Sequence, residues 1–306
     1  MSHLVTVTGT ADTDSLGMIL PHEHLVTDLR APDAPGFGDA AVAEVVAVMA
    51  PRLEEARSAG ITALFECTPL GVGRNVPALV ALARASGMSI VAAAGTYRDD
   101  RVPASVRSLN DAEMDDWLRR ELTVGLDGTG VRGGFIKLAV SDSGITSLEE
   151  RLIRSAGRVG GELGVAVAIH TSAGAMAVRE LDLLTGEGFP AERYVWVHTQ
   201  AEPDSGYHRE VGQRGGYLEY DGLRSSADFD AYVGWVRQAS DWGLQDRVLL
   251  SQDAGWYRPG EPRGGKQAPF DFLPRAFVPR LREAGFPAAD VTLFTSDNPK
   301  RAFARE

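Results

Sequence analysis

The stretch MILPHEHLVTD, residues 18–28, reads as a buried strand interrupted by His22, Glu23 and His24. Side chains two apart on a strand share a face, so His22 and His24 point one way and Glu23 the other. Imidazole nitrogen is a good ligand for zinc and related divalent cations, and this pair presents two such nitrogens together. The bland alternative is a pair of polar residues near a loop. Glu23 reads as a structural residue bonded to neighbouring backbone or to a basic side chain. His170 ends the apolar run VAVAI, and His198 ends YVWV. Either alone reads as a satisfied core histidine, but two on consecutive strands are neighbours, which favours a metal. Asp253 follows RVLLSQ and is either a further ligand or the cap of a following helix.

Lys137 is the one cation in the apolar run GGFIKLAV. An unpaired buried ammonium is costly, so this side chain needs a carboxylate partner or a changed charge. A neutral amine that adds carbon dioxide becomes a carbamate, a two-oxygen anion able to bridge two cations. Four neutral histidines and one carboxylate would leave two divalent cations poorly neutralised, and a carbamate supplies part of the missing charge.

Positioning these residues requires strands that end near one another. Candidate strands cover residues 17–24, 61–68, 89–97, 133–140, 165–171, 194–199, 216–222 and 247–253. Amphipathic segments such as 40–60 and 147–164 lie between them, and Gly60, Gly87, Gly164 and Gly243 are placed to end helices. Eight such repeats in 306 residues predict an α/β protein, a single-domain (β/α)8 TIM barrel over residues 1–306. Chemistry in that fold gathers at the C-terminal ends of the strands, where the six residues above fall. A doubly wound open sheet is the competing architecture. It often carries a Gly-rich phosphate loop after its first strand, and HLVTDLRAPDAPGFG does not match that pattern.

The net charge of −11 argues against a nucleic-acid partner. Cys67 is the only cysteine, which rules out an intrachain disulfide. No run approaches the ~20 apolar residues of a membrane span. The N-terminal MSHLVTVTGT lacks the basic and apolar blocks of a signal peptide, so a cytoplasmic protein is expected.

Taken together, these residues resemble the phosphotriesterase family of the amidohydrolase superfamily, from LGMILPHEHL (16–25) to SDNPKRAFA (296–304). The resemblance implies two divalent metal ions, zinc or else manganese, cobalt or iron. His22, His24 and Asp253 would hold the more buried ion, and His170 and His198 the more exposed one. Lys137, carboxylated on its amine, would bridge them. A metal-bridging hydroxide would attack an ester carbonyl, with Asp253 as ligand and proton shuttle. Such proteins are commonly homodimers that act on small molecules. A lactone or other carboxylic ester is the expected substrate. A phosphoric ester or an amide is the alternative within enzymes, and a binding protein that keeps the fold without turnover is the alternative outside them.

Tyr97, in AGTYRDD, resembles the tyrosine that lactonase-like members place beside the hydroxide, and is otherwise an aromatic wall of the pocket. Asp221, in EYDGLR, resembles the family's aspartate there and is expected, with Arg224, to contact substrate. Lactonase-like members follow it with arginine; this chain has Gly222, and Arg224 comes two residues later. After His198, TQAEPD lacks the acidic proton relay of triesterases unless Glu202 takes its place. The loop 254–272 is expected to form a lid. In it Trp256 and Tyr257 would offer apolar surface to substrate, and Arg258, Arg263 and Lys266 positive charge for an acidic group. Cys67 reads as a small buried hydrophobe.

Overall fold

Strand-forming runs and helical runs alternate along the chain, and the computed structural model, which describes residues 2–141 and 143–306, turns each apolar run into a parallel strand. A hairpin comes first, β1 (His3–Thr6) and β2 (Gly9–Asp12). Eight strands then follow one another around the barrel: β3 (Met18–Val26), β4 (Ile61–Glu66), β5 (Ser89–Ala94), β6 (Phe135–Ala139), β7 (Val167–His170), β8 (Tyr194–Val197), β9 (Tyr217–Tyr220) and β10 (Val248–Leu250). An additional strand, β11 (Gly255–Tyr257), lies parallel to β3. With the close match to solved barrels reported below, the fold is a single-domain TIM barrel.

Helices cover the outside. Ser147–Leu163 starts with a reciprocal cap between Thr146 and Glu149 and ends at Gly164 in the left-handed conformation. Its buried Leu152, Ile153, Ala156 and Val159 recur at helical spacing. Val42–Ser58 buries Val45, Met49, Leu53 and Ala56 in the same way. No helix among the described residues is long and apolar enough to cross a membrane.

The strands obey a period of two. Phe65, Val91, Ala93, Phe135, Ala168, Val195 and Leu249 fill the barrel interior with Leu4 and Phe303, which close its lower end. Leu64, Ile90, Ala92, Ile136, Ile169, Trp196 and Leu218 face the helices. One strand changes phase. In β3, Ile19 points inward and Leu20 outward, yet Leu25 also points outward. The register against β4 shifts between Leu20 and Glu23, around Pro21, which has no N–H to give the ladder. This irregularity turns His22 and His24, rather than Pro21 and Glu23, into the barrel.

Closure differs from a simple pairing of last strand with first. Among the described residues β10 pairs only with β9, and the seam to β3 is made by the segment after it. Asp253 N–H donates to His22 O at 3.1 Å, His24 N–H donates to Ala254 O at 2.9 Å, and Gly255 pairs with His24. A side chain at Gly255 would place its Cβ 2.0 Å from His24 O, so the seam requires glycine there. The start of the expected lid is therefore barrel wall. The hairpin β1–β2 and strand β11 were not anticipated, because four- and three-residue strands leave too short a pattern to read.

Candidate metal centre

β3 delivers two imidazoles whose outer nitrogens are already engaged. His22 Nδ1 lies 3.0 Å from Glu219 Oε2 and 3.2 Å from Asp221 Oδ2. His24 Nδ1 lies 2.8 Å from Thr68 Oγ1. Both Nε2 atoms are left facing Asp253, whose Oδ1 is 3.9 Å from His22 Nε2 and 3.2 Å from His24 Nε2. That Oδ1 is buried and has no hydrogen bond of acceptable geometry. A buried acceptor without a partner is rare and demands a reason. A divalent cation among these three atoms, which lie within 4.8 Å of one another, supplies one. The donor set fits the metal that the fold implies.

Asp253 holds this position in a left-handed backbone conformation, φ 50°. Glu23 stabilises it from the other face of β3. Its carboxylate accepts from Ala254 N at 2.7 Å, Gln252 N at 3.1 Å, Ser251 Oγ at 2.8 Å and Gln252 Nε2 at 3.4 Å. Glu23 thus bonds to backbone and to the side chains of Ser251 and Gln252, and among the described residues to no basic side chain. Burial pushes its carboxyl up to about 8.

The second half of the centre is made by β6, β7 and β8. His170 ends β7, and the His170 and His198 rings stand perpendicular with centroids 4.5 Å apart. His198 follows β8 with φ 65°, and its Nδ1 meets Asp221 Oδ1 at 2.6 Å. Lys137, 1% exposed, donates to Leu138 O at 3.1 Å and has no carboxylate within ion-pair distance among the described residues. The salt-bridge alternative is therefore not what the structure holds. Burial also sets the protonation: it pulls His22 down to about 4, His170 well below the ordinary range and the Lys137 amine below its usual value.

His22, His198 and Asp221 also cluster within 4.8 Å. Their contacts at 2.6 and 3.2 Å are hydrogen-bond lengths and leave no space for an ion between them. Asp221 is a supporting acceptor for two histidines, a common arrangement behind metal ligands. This corrects its expected role as a substrate contact, since it is wholly buried and outside the cavity. Tyr257 is likewise no substrate contact: its ring is buried beneath Gly264. Glu202, the candidate relay, is occupied with Gly174 N at 2.7 Å and Asp204 N at 2.8 Å.

A cavity of about 90 Å³ brings together His22, His24, Lys137, His170, His198 and Asp253 with Tyr97 and Trp256. Tyr97 OH lies 3.4 Å from His170 Nδ1. Cys67 also faces the cavity, and burial pushes its thiol well up, so it behaves as the apolar filler expected. Arg224, Trp256 and Arg258 line a second cavity, while Arg263 lines neither. Glu219 was missed. It lies two residues before Asp221 on the same face of β9, and that spacing was the available signal.

Residues 2–303 match the sequence pattern of the phosphotriesterase family. A phosphotriesterase homology protein of Mycobacterium tuberculosis is 30% identical, the alignment covering 100% of this chain and 99% of that protein. An N-acetyltaurine hydrolase of Salmo salar is 27% identical over 97% of this chain and 96% of its own. Two solved structures from Deinococcus radiodurans, described as an organophosphorus hydrolase and as a variant of a phosphotriesterase-like lactonase, are each 30% identical with TM-score 0.86. They cover 98% of this chain and 96% and 99% of their own.

Proposed function

The chain belongs to the phosphotriesterase family, and from that premise we propose that it is a two-metal hydrolase of carboxylic esters, with lactones foremost. The orphaned Asp253 Oδ1 opposite two imidazole nitrogens carries this reading. Two bound divalent cations would lower the pKa of a water molecule and polarise the ester carbonyl.

The chain's own residues supply the rest. Burial keeps His22 and His170 neutral at pH 7, so their ring lone pairs are available to ligands. Lys137 completes the pair of sites: its neutral nitrogen attacks the carbon of carbon dioxide, an N–C bond forms, and a proton leaves to solvent. The resulting carbamate would serve His170 and His198 as a shared partner, since two histidines alone make a poor site. Asp253 receives the proton from the attacking water and passes it outward. Arg224, 3.6 Å from Asp253 Oδ2, faces the outer oxygen of that carboxylate as a positive charge. Tyr97, whose hydroxyl faces the same cavity, donates to the ester oxygen as the bond breaks.

Two features favour esters over phosphotriesters. Tyr97 lines the cavity of the candidate ligands, where its hydroxyl would serve an ester oxygen, and Glu202 is tied to backbone amides rather than free as a relay. A second reading, amide hydrolysis, is favoured by the likeness to N-acetyltaurine hydrolases. The test is a panel of lactones, aryl esters, N-acyl amides and phosphotriesters assayed on protein loaded with zinc or manganese. We expect the highest kcat/KM on a lactone or ester. A preference for phosphotriesters, or binding of less than one metal per chain, would refute the proposal.

A further inference from the structure

Beside the metal centre lies the second cavity. It encloses about 320 Å³ and is lined by Arg224, Gly255, Trp256, Arg258, Lys266 and Ala268. That volume lies within the about 300–1,000 Å³ of small-molecule sites. It shares Trp256 with the metal cavity, so the two are neighbours across one indole. The indole is held rigidly. Its Nε1 donates to Asp253 O at 2.8 Å, its ring lies 4.5 Å from His24, and its backbone adopts φ 74°, an uncommon conformation for so bulky a residue.

The charge here departs from the rest of the molecule. The chain carries net charge −11, and several of its arginines elsewhere lie close against carboxylates: Arg74 to Glu121 at 2.6 Å, Arg151 to Asp111 at 2.6 Å, Arg158 to Asp115 at 2.8 Å. In the second cavity three cations converge with little to neutralise them. Lys266 has no ion-pair partner among the described residues. Arg258 has only Glu261 at 3.5 Å, and Arg224 only Asp253 at 3.6 Å. Asp253 is committed to the metal centre, which leaves Arg224 less neutralised still.

We propose that this cavity is the subsite for an oxyanion, a carboxylate or phosphate group on the substrate. The ester or lactone then lies at the metal centre with its anionic arm reaching past Trp256 to Arg224, Arg258 and Lys266. Fork-shaped guanidinium donors suit the paired oxygens of such groups, and the ammonium adds a point charge. As a substrate subsite it rests on the hydrolase reading above. It narrows that reading from esters in general to esters carrying negative charge at the far end.

Two measurements on metal-loaded protein test it, comparing the natural chain with the double variant Arg258→Ala/Lys266→Ala. The first is kinetic, with two lactones of equal ring size, one bearing a carboxylate or phosphate and one neutral. Removing one charge-assisted hydrogen bond lowers affinity by roughly tenfold. The double variant is expected to lower the anionic-to-neutral ratio of kcat/KM by about a hundredfold. Raising the salt concentration should lower the same ratio in the natural chain. An unchanged ratio in the double variant overturns the subsite. The second is calorimetric titration with inorganic phosphate. The natural chain is expected to bind phosphate at a site that the double variant lacks, over and above any phosphate taken up at the metals. Identical phosphate binding by the two proteins overturns the proposal. Should the natural chain hydrolyse no ester at all, the hydrolase reading fails, and the phosphate comparison still decides whether the cavity binds oxyanions.

Discussion

Replacing Glu23 with alanine should damage both the fold and the metal centre, although Glu23 touches no ligand atom. Its carboxylate accepts the N–H groups of Ala254 and Gln252 at 2.7 and 3.1 Å, and neither amide has another acceptor among the described residues. The hydroxyl of Ser251 and the amide of Gln252 have other partners, His22 O and Phe270 O, and adjust at small cost. The main loss is therefore two buried donors left bare, at about 1–3 kcal/mol each. Relief of the strained ionisation that pushes Glu23 up to about 8 returns a part of this. The expected destabilisation is about 2–4 kcal/mol, a large share of the ~5–15 kcal/mol that holds a typical domain together. Glu23→Gln keeps one acceptor oxygen and should lose about half as much. Urea denaturation of chelator-treated protein measures this without the added stability that a bound metal gives. The same variant should bind zinc about tenfold more weakly, because Asp253 lies between the two amides that lose their anchor. A Glu23→Ala protein within about 0.5 kcal/mol of the natural one, with unchanged zinc affinity, would refute the view that Glu23 seats the third ligand.

Lys137→Ala should lose one or both metals and nearly all turnover, and a short carboxylate such as propionate should restore a measurable part; metal content with and without propionate checks this. Glu219→Ala removes the 3.0 Å acceptor of His22 Nδ1 while leaving Asp221 at 3.2 Å. Zinc affinity, read by chelator competition, should therefore fall about tenfold, the low end of the effect of such partners. Glu180 is buried between Thr171 and Tyr194, and burial raises its carboxyl from 4.5 to about 8. The folded chain then keeps this proton at pH values where the unfolded chain has released it, so its stabilisation is complete below about pH 4.5 and is lost as pH rises through 8. Glu180→Gln has no such dependence. The stability difference between the two proteins should move in favour of glutamine by up to about 1.4 kcal/mol per pH unit across that window, and equal differences at pH 5 and pH 8 would contradict it.

Much of the architecture was legible because most barrel strands are short apolar runs that carry, or are closely followed by, a polar residue of unusual type. Lys137, His170, His198 and Asp253 stand out against their runs, and the barrel gathers them into one cavity. What escaped was whatever depends on partners far away in sequence. The strand β11 is three residues long and exists because His24 and Val26 offer it a ladder. Asp221 carries the same side chain whether it faces substrate or stands behind two histidines, and only the positions of His22 and His198 decide. Tyr257 and Trp256 are adjacent and chemically alike, yet one is buried and the other lines both cavities, a difference set by the left-handed turn at Trp256.

The HEH motif itself shows why spacing alone under-determines a site. Alternation says that His22 and His24 share a face; it does not say which face. Continued in phase from Ile19, the strand would turn Glu23 into the barrel and both histidines toward the helices. The irregularity at Pro21 reverses that outcome. It puts two imidazoles inside and the Glu23 carboxyl group outside, where that group holds the segment that brings Asp253 back to them. Pro21, the histidine pair and Glu23 therefore act as one device. A change that restored regular pairing at residue 21 is expected to abolish the proposed metal binding while leaving all six candidate ligand residues in the sequence.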